Sequence, residues 1–155
     1  MPKLVPMTQT EYEAFFARLV PEYAADNVKA GYWDESEALE KSRKQTESLL
    51  PDGLKTKDNY LYTLYDENNA VGIIWMKAEV DRPKKSGFIF DVKIEEEFRG
   101  KGYGKQIMLL IEDKARELGL ASIGLHVFGE NRVARNLYEG IGYEVSSLNM
   151  IKKLE

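Results

Sequence analysis

The order of patterns along this chain predicts an α/β fold, a mixed sheet of six to seven strands with about four helices on its faces. Three observations carry that expectation. Helical periodicity fills the first third of the chain. Strand alternation dominates residues 60–94. Helix and strand patterns then take turns to the end, with a glycine-rich turn at 99–105 between the two regimes. At 155 residues the chain reads as one domain, 1–155, large enough to bury a core.

Leu4 to Met7 is a short candidate strand. Thr8 is placed to cap a helix running to about Ala30, with Glu11 completing a capping box. Tyr12, Phe15, Phe16 and Leu19 recur at helical spacing, and Pro21 is expected to bend or split the segment. Asp34 starts a second helix through about Leu50, which Pro51-Asp52-Gly53 ends. Tyr60 to Tyr65 and Val71 to Ala78 read as strands around the turn Asp66-Glu67-Asn68-Asn69. The second is apolar on both faces, as a central strand must be. Asp81 to Ser86 is a polar loop. Phe88, Phe90, Val92 and Ile94 then alternate with Ile89, Asp91 and Lys93 as another strand.

Behind the glycine-rich turn, Tyr103, Ile107, Leu110, Ile111, Ala115 and Leu118 share one helix face, and Gly119 closes the helix. Ala121, Ile123, Leu125 and Val127 alternate as a strand. Asn131 caps a short helix carrying Val133, Leu137 and Ile141 at i, i+4 and i+8. Gly140 and Gly142 break it, and Tyr143 to Leu154 reads as one or two final strands.

Composition narrows the function classes. The chain carries 22 basic and 26 acidic side chains, a net charge of −4, which disfavours general nucleic-acid binding. With no cysteine, neither a disulfide framework nor a cysteine nucleophile is available. A lone histidine, His126, argues against a histidine-based zinc site, and no metal is expected. His126 itself is read as packed or exposed. No apolar run approaches the ~20 residues of a membrane span. The first seven residues lack a signal peptide's apolar stretch. A cytoplasmic location with no membrane partner is the expectation.

The segment Arg99-Gly100-Lys101-Gly102-Tyr103-Gly104-Lys105 is the most informative. Glycines let a backbone turn tightly and bring its N–H groups to a ligand. A helix start behind them attracts anions. The segment therefore reads as a phosphate cradle. A Walker loop would need Ser or Thr after Gly104-Lys105 and a glycine where Arg99 stands, but Gln106 follows instead. In a dinucleotide fingerprint the third glycine would come one residue later, in a βαβ unit. The bland reading is a glycine-rich turn with solvated lysines.

A second motif lies about 30 residues downstream. Arg99-x-x-Gly102-x-Gly104 matches the R/Q-x-x-G-x-G/A signature of the GNAT superfamily of N-acetyltransferases. Asn131-Arg132-Val133-Ala134-Arg135-Asn136-Leu137-Tyr138-Glu139-Gly140-Ile141-Gly142-Tyr143 resembles that family's N-x-x-A-x-x-L-Y-E-x-x-G-F/Y segment. Order and separation agree, and the resemblance is sharp from Phe88 to Tyr143. Glu95-Glu96-Glu97-Phe98 keeps the aromatic that often precedes the arginine but lacks the usual proline.

The resemblance implies a mostly antiparallel sheet, an acetyl-CoA-binding core at about 58–155 and substrate-selecting helices at about 8–50. It implies that backbone N–H groups of Gly100, Lys101, Gly102, Tyr103, Gly104 and Lys105 hold the pyrophosphate, with added charge from Arg99, Lys101 and Lys105. Val92, Lys93 and Ile94 would pair through their backbone with the pantetheine arm. An N–H near Ile94 would polarise the thioester carbonyl. Asn131 would bond the pantetheine amide, against the plainer reading of a helix cap. Tyr138 would protonate the departing thiolate, against the plainer reading of a core aromatic.

The implied reaction is direct attack by a primary amine of a small molecule or peptide. Asp91 and Glu79 are candidate bases, neither of them assigned. Tyr23, Tyr32, Trp33, Glu22, Asp26, Asp34, Glu35 and Glu37 would form an acidic, aromatic rim suited to a cationic amine, unless they are an ordinary charged surface. A homodimer is left open. A non-catalytic acyl-CoA-binding sensor or interaction module on the same fold is the alternative, and a nucleic-acid binder using the basic loop is a weaker rival.

Overall fold

The structure, a computed structural model, describes residues 1–154. In chain order its elements are β1 (Lys3–Pro6), α1 (Gln9–Lys29), α2 (Glu35–Leu49), β2 (Asn59–Asp66), β3 (Asn69–Glu79), β4 (Ser86–Ile94), α3 (Tyr103–Glu117), β5 (Ser122–Leu125) and α4 (Arg132–Gly140). Short 3₁₀ turns at Gly53–Lys55 and Glu96–Phe98 precede β2 and the glycine loop. The chain forms two compact units, Met1–Leu125 and a second that begins at His126. Among the described residues, no helix is long and apolar enough to cross a membrane.

The first unit holds a five-stranded mixed sheet in the order β1-β2-β3-β4-β5. β1 to β4 are antiparallel neighbours, and β5 joins β4 in parallel. Local chemistry starts the helices. Thr8 accepts from the Glu11 N–H at 3.1 Å while Glu11 accepts from the Thr8 N–H at 2.9 Å, closing the capping box on α1. Asp34 caps α2 through the Ser36 N–H. α1 runs through Pro21 without a break, so of the expected bend or split the split does not occur. Its apolar stripe is packed into the fold, and such burial holds helices that propensity alone would not.

On that side Tyr12, Phe15 and Leu19 of α1 form one buried cluster with Leu61, Ile73 and Trp75 of the sheet. α3 packs against β1, β3, β4 and β5. Its Ile107, Met108 and Ile111 are fully buried, at about 1.5–3 kcal/mol of burial each. Gly119 ends α3 with φ +76°, a left-handed conformation suited to glycine.

One irregularity in β4 sets up everything that follows. Trp75 of β3 pairs with Asp91 and Met76 with Ile89, so Phe90 is an extra residue, a β-bulge. Phe88 and Phe90 make a ring contact at 5.0 Å, and Phe90 joins the α1-side cluster. Asp91 and Lys93 nevertheless meet charges on α1 as well. Strict alternation across Phe88–Ile94, as expected from sequence, is therefore broken at Phe90. Beyond the bulge β4 comes very close to β3. A Cβ on Gly72 would lie 2.7 Å from the Lys93 carbonyl oxygen and 2.8 Å from Ile94 Cδ1.

The second unit contains α4, capped by Asn131, whose Oδ1 accepts from the Ala134 N–H at 3.2 Å. Among the described residues, 143–154 form no strand. The sheet therefore has five strands, not six to seven. Alternation alone does not make a strand, because a ladder needs a paired neighbour.

Candidate functional site

The glycine loop is a run of unused donors. Gly102 occupies the N-cap position of α3 at φ +86°, and no side chain caps the helix. The first donor of the α3 ladder is the Gln106 N–H, to Gly102 O at 3.2 Å. The N–H groups from Gly100 to Lys105 thus have no hydrogen-bond partner among the described residues. A Cβ on Gly100 or Gly102 would meet nothing within 4 Å, so the loop is uncrowded at both glycines. Six unpaired N–H groups at an uncapped helix start fit a diphosphate.

Side chains anchor the loop from both ends. Tyr103 Oη donates to Asp66 in the β2–β3 turn at 2.5 Å, and the Tyr103 ring meets Phe98 edge-on at 6.3 Å. That hydrogen bond holds the Tyr103 phenol above its ordinary pKa. Lys101 lies over the Phe98 ring at 5.6 Å. Arg99 turns back, its Nε donating to Ile94 O at 3.0 Å. Lys105 is exposed.

β4 leads into this loop with one edge open. β5 pairs with Ser86–Ile89, and among the described residues no strand pairs with Phe90–Ile94 on that side. The Glu95 N–H donates to Val71 O at 2.8 Å. Alternation then turns the backbone of Lys93 toward β3 and that of Val92 and Ile94 toward the open edge. Of the three expected pairing residues, Val92 and Ile94 turn groups there and Lys93 does not, while the Asp91 carboxyl draws on the Val92 N–H. Part of the Ile94 carbonyl's capacity is taken by Arg99.

The opposite side of β4 carries a row of charges that the sequence did not reveal. Arg18 Nη1 donates to Glu95 at 3.1 Å, and Lys93 Nζ donates to Glu22 at 2.5 Å. Arg18 and Glu22 are one turn apart on α1. Asp91 sits in the same row with its Oδ2 buried and lacking a hydrogen-bond partner, as is Arg18 Nε. Burial pushes the Asp91 carboxyl up to about 6, opposed by Arg18 and Lys93 and reinforced by Glu22. Alternating Asp91, Lys93 and Glu95 facing Arg18 and Glu22 at i, i+4 was the available signal. Glu79, the other candidate base, is half-buried at the end of β3 and 3.9 Å from Lys77.

The expected rim is partly committed elsewhere. Asp34 caps α2, Glu37 pairs with Lys41 at 2.8 Å, and Glu22 holds Lys93. Asp26 is raised by burial and by the Glu22 charge. Tyr23 and Trp33 meet edge-on at 5.5 Å, and Tyr32 is exposed. Glu35 lies in the first turn of α2.

In the second unit Tyr138 lies on α4, half-buried, its ring 5.9 Å from that of Tyr143. Asn131 uses Oδ1 for the cap, which leaves the Nδ2 donors of the same amide for another partner. His126 is exposed, its ring edge-on to Phe128 at 5.1 Å.

Comparison with known proteins gives the family. The family model described as "Acetyltransferase (GNAT) family" matches residues 20–143, a span holding both the loop and α4. The chain is 38% identical over 152 residues to the uncharacterized N-acetyltransferase YycN of Bacillus subtilis, covering 97% of each chain. It is 36% identical over 152 residues to the uncharacterized N-acetyltransferase YdgE of the same organism, again covering 97% of each. The crystal structure of YycN superposes with a TM-score of 0.94, covering 100% of this chain and 99% of that one. AAC(6')-Iy, solved with the bisubstrate analogue CoA-S-monomethyl-acetylneamine, shares the fold at 15% identity, with a TM-score of 0.65 over 100% of this chain and 99% of that one. By family match, by full-length relatives and by fold, this chain belongs to the GNAT acetyltransferase family.

Proposed function

We propose that this chain is an acetyl-CoA-dependent N-acetyltransferase that moves the acetyl group to a primary amine of a small molecule or peptide. The observation that carries the reading is the run of unpaired N–H groups from Gly100 to Lys105 at the uncapped start of α3. These donors would hold the pyrophosphate, with Lys101 and Lys105 adding positive charge. The outward backbone groups of Val92 and Ile94 would orient the pantetheine arm, and Asn131 Nδ2 would donate to one of its amides.

Bound acetyl-CoA supplies an activated thioester, so the protein needs no nucleophile of its own. An amine with pKa near ~10 must lose a proton to attack. Asp91 suits that task better than Glu79, because a carboxyl lifted to about 6 is a stronger base near neutral pH. Tyr138 Oη would donate a proton to the departing sulfur. The amine's proton thus goes to Asp91 Oδ2, and the thiolate's comes from Tyr138.

Heating with and without acetyl-CoA tests binding, and CoA release against a panel of amines tests turnover. Acetyl-CoA should raise the Tm. No rise at millimolar acetyl-CoA rejects the reading. Tyr138→Phe should lower kcat by about 100-fold with acetyl-CoA affinity unchanged. Binding without turnover on every amine would favour the non-catalytic acyl-CoA module instead.

A further inference from the structure

The facing charges of α1 and β4 do not balance. Asp91 and Lys93 of β4, and Glu95 just past its end, alternate along one side of the strand. Against them α1 sets Arg18 and Glu22, one turn apart. Two pairs form across the gap. Arg18 Nη1 donates to Glu95 Oε1 at 3.1 Å, and Lys93 Nζ donates to Glu22 Oε1 at 2.5 Å. Asp91 is the charge left over.

Its neighbours do not complete it. Trp75 stands opposite Asp91 on β3, and its one side-chain donor goes to Asn59 Oδ1 at 2.8 Å. The Asp91 carboxyl draws on the Val92 N–H, but Oδ2 is buried with no hydrogen-bond partner among the described residues. Arg18 Nε is buried and unused as well. A buried polar atom without a partner destabilises a fold, and here a donor and an acceptor in one row stay apart. Of the charges acting on Asp91, that of Arg18 is the strongest, ahead of Glu22 and Lys93. A guanidinium is a rigid, planar fork of N–H donors, so the carboxylate it grips decides where its other donors point. In this structure that carboxylate is Glu95.

We propose that Glu95 is a positioning residue: by holding Arg18 it keeps the guanidinium off Asp91, and so leaves Oδ2 free to take the proton of the amine substrate. The inference rests on the role given to Asp91 above. In that step an N–H bond of the ammonium breaks, its electron pair stays on nitrogen for the attack, and an O–H bond forms at Oδ2. A carboxylate already bonded to Arg18 would be held ionised and would be a weaker base. Arg18 must nevertheless stay near. Burial already lifts the Asp91 carboxyl, and without the guanidinium charge it would remain protonated at neutral pH, unable to accept another proton. The hold of Glu95 sets Asp91 between these two failures.

Two substitutions should move Asp91 in opposite directions. Its carboxyl is followed against pH by NMR of the carboxyl carbons, and its signal is the one absent from Asp91→Asn. In Glu95→Gln the released guanidinium turns to Asp91, which should titrate about one pH unit below wild type. In Arg18→Met it should titrate about one pH unit above. With both substitutions it should match Arg18→Met alone, because Glu95 acts only through Arg18. Arg18→Lys keeps a cation without the fork and should fall between wild type and Arg18→Met. It also stands in for Arg18→Met should that variant fail to fold. A rise or no change in Glu95→Gln overturns the proposal. So does an equal fall in the Arg18→Met background, which would mean that Glu95 acts on Asp91 directly.

Turnover separates this inference from the function beneath it. With acetyl-CoA saturating, the acid limb of kcat/KM for an amine should move with the carboxyl, down about one pH unit in Glu95→Gln. A carboxyl that moves while the acid limb stays still leaves the Arg18 arrangement standing and overturns Asp91 as the base. No turnover on any amine overturns the enzymatic reading, and the titration still decides where Arg18 is held.

Discussion

From Ser86 to Ile89, β4 lies between β3 and β5 and is paired on both edges, and Ile89 is buried. From Phe90 to Ile94 it pairs with β3 alone, and its side chains are half-buried and include Asp91 and Lys93. The bulge at Phe90 separates the halves. It lets the first half serve as ordinary core. The second half turns charged side chains toward α1 and leaves backbone groups free along one edge. A strand paired on both sides has no hydrogen-bonding capacity left for a ligand, and a strand open on both sides would be unstable. One extra residue lets β4 satisfy both demands in sequence.

Ile89→Ala should have the largest effect on stability, about 3 kcal/mol in denaturant unfolding, because the methyl groups leave a cavity among fully buried neighbours. Acetyl-CoA affinity should move less than twofold. Val92→Ala, at a half-buried position, should cost under about 1.5 kcal/mol and, with its backbone groups kept, should also leave the affinity within twofold. An equal loss at both positions would break the contrast between the halves.

Asp91→Asn comes next. The folded pKa is raised to about 6 from an ordinary 3.8, so burial of the ionised carboxylate costs stability at high pH. That cost is absent below the unfolded value and is fully felt once the pH has risen through about 6. The variant should therefore be more stable than wild type at pH 8 by up to about 3 kcal/mol, with the gap closing from pH 6 down to 4. Its turnover should fall throughout. Thermal unfolding across pH 4–8 checks this, and a gap independent of pH would show that the row of charges, not burial, governs Asp91.

The smallest effect belongs to Lys93→Met. The Lys93–Glu22 pair is partly exposed, so less than about 1 kcal/mol should be lost, and less still at high salt. A larger loss would mean that the charged row holds α1 to β4 as firmly as the apolar cluster does.

What could be read from sequence was whatever the chain decides locally. Thr8 with Glu11, Asp34 at the start of α2, and the glycines at 100, 102 and 119 set caps and turns within a few residues, and each falls as expected. The glycine turn and the uncapped start of α3 behind it were legible for the same reason, since loop and helix start are adjacent in the chain. The phase of β4 was not, because the bulge at Phe90 exists only in register with Trp75 and Met76. Nor was the meeting of Arg18 with Glu95 across 77 residues of chain. Tyr143 to Leu154 alternates well enough, but a ladder takes two strands, and the sequence of one cannot supply the other.

The hydrogen bond from Tyr103 to Asp66 bears on how quickly the glycine loop could capture an anion. A loop with three glycines would ordinarily sample many conformations, and a ligand would have to select or impose one of them. Here the first residue of α3 is tied to Asp66 at the end of β2, and its ring meets Phe98, over which Lys101 lies. The conformational freedom is lost when the chain folds, so little remains to be lost at encounter. Capture should then be limited by diffusion and charge, without a slow ordering phase, and a loosened tether should appear as a slower association at unchanged net charge.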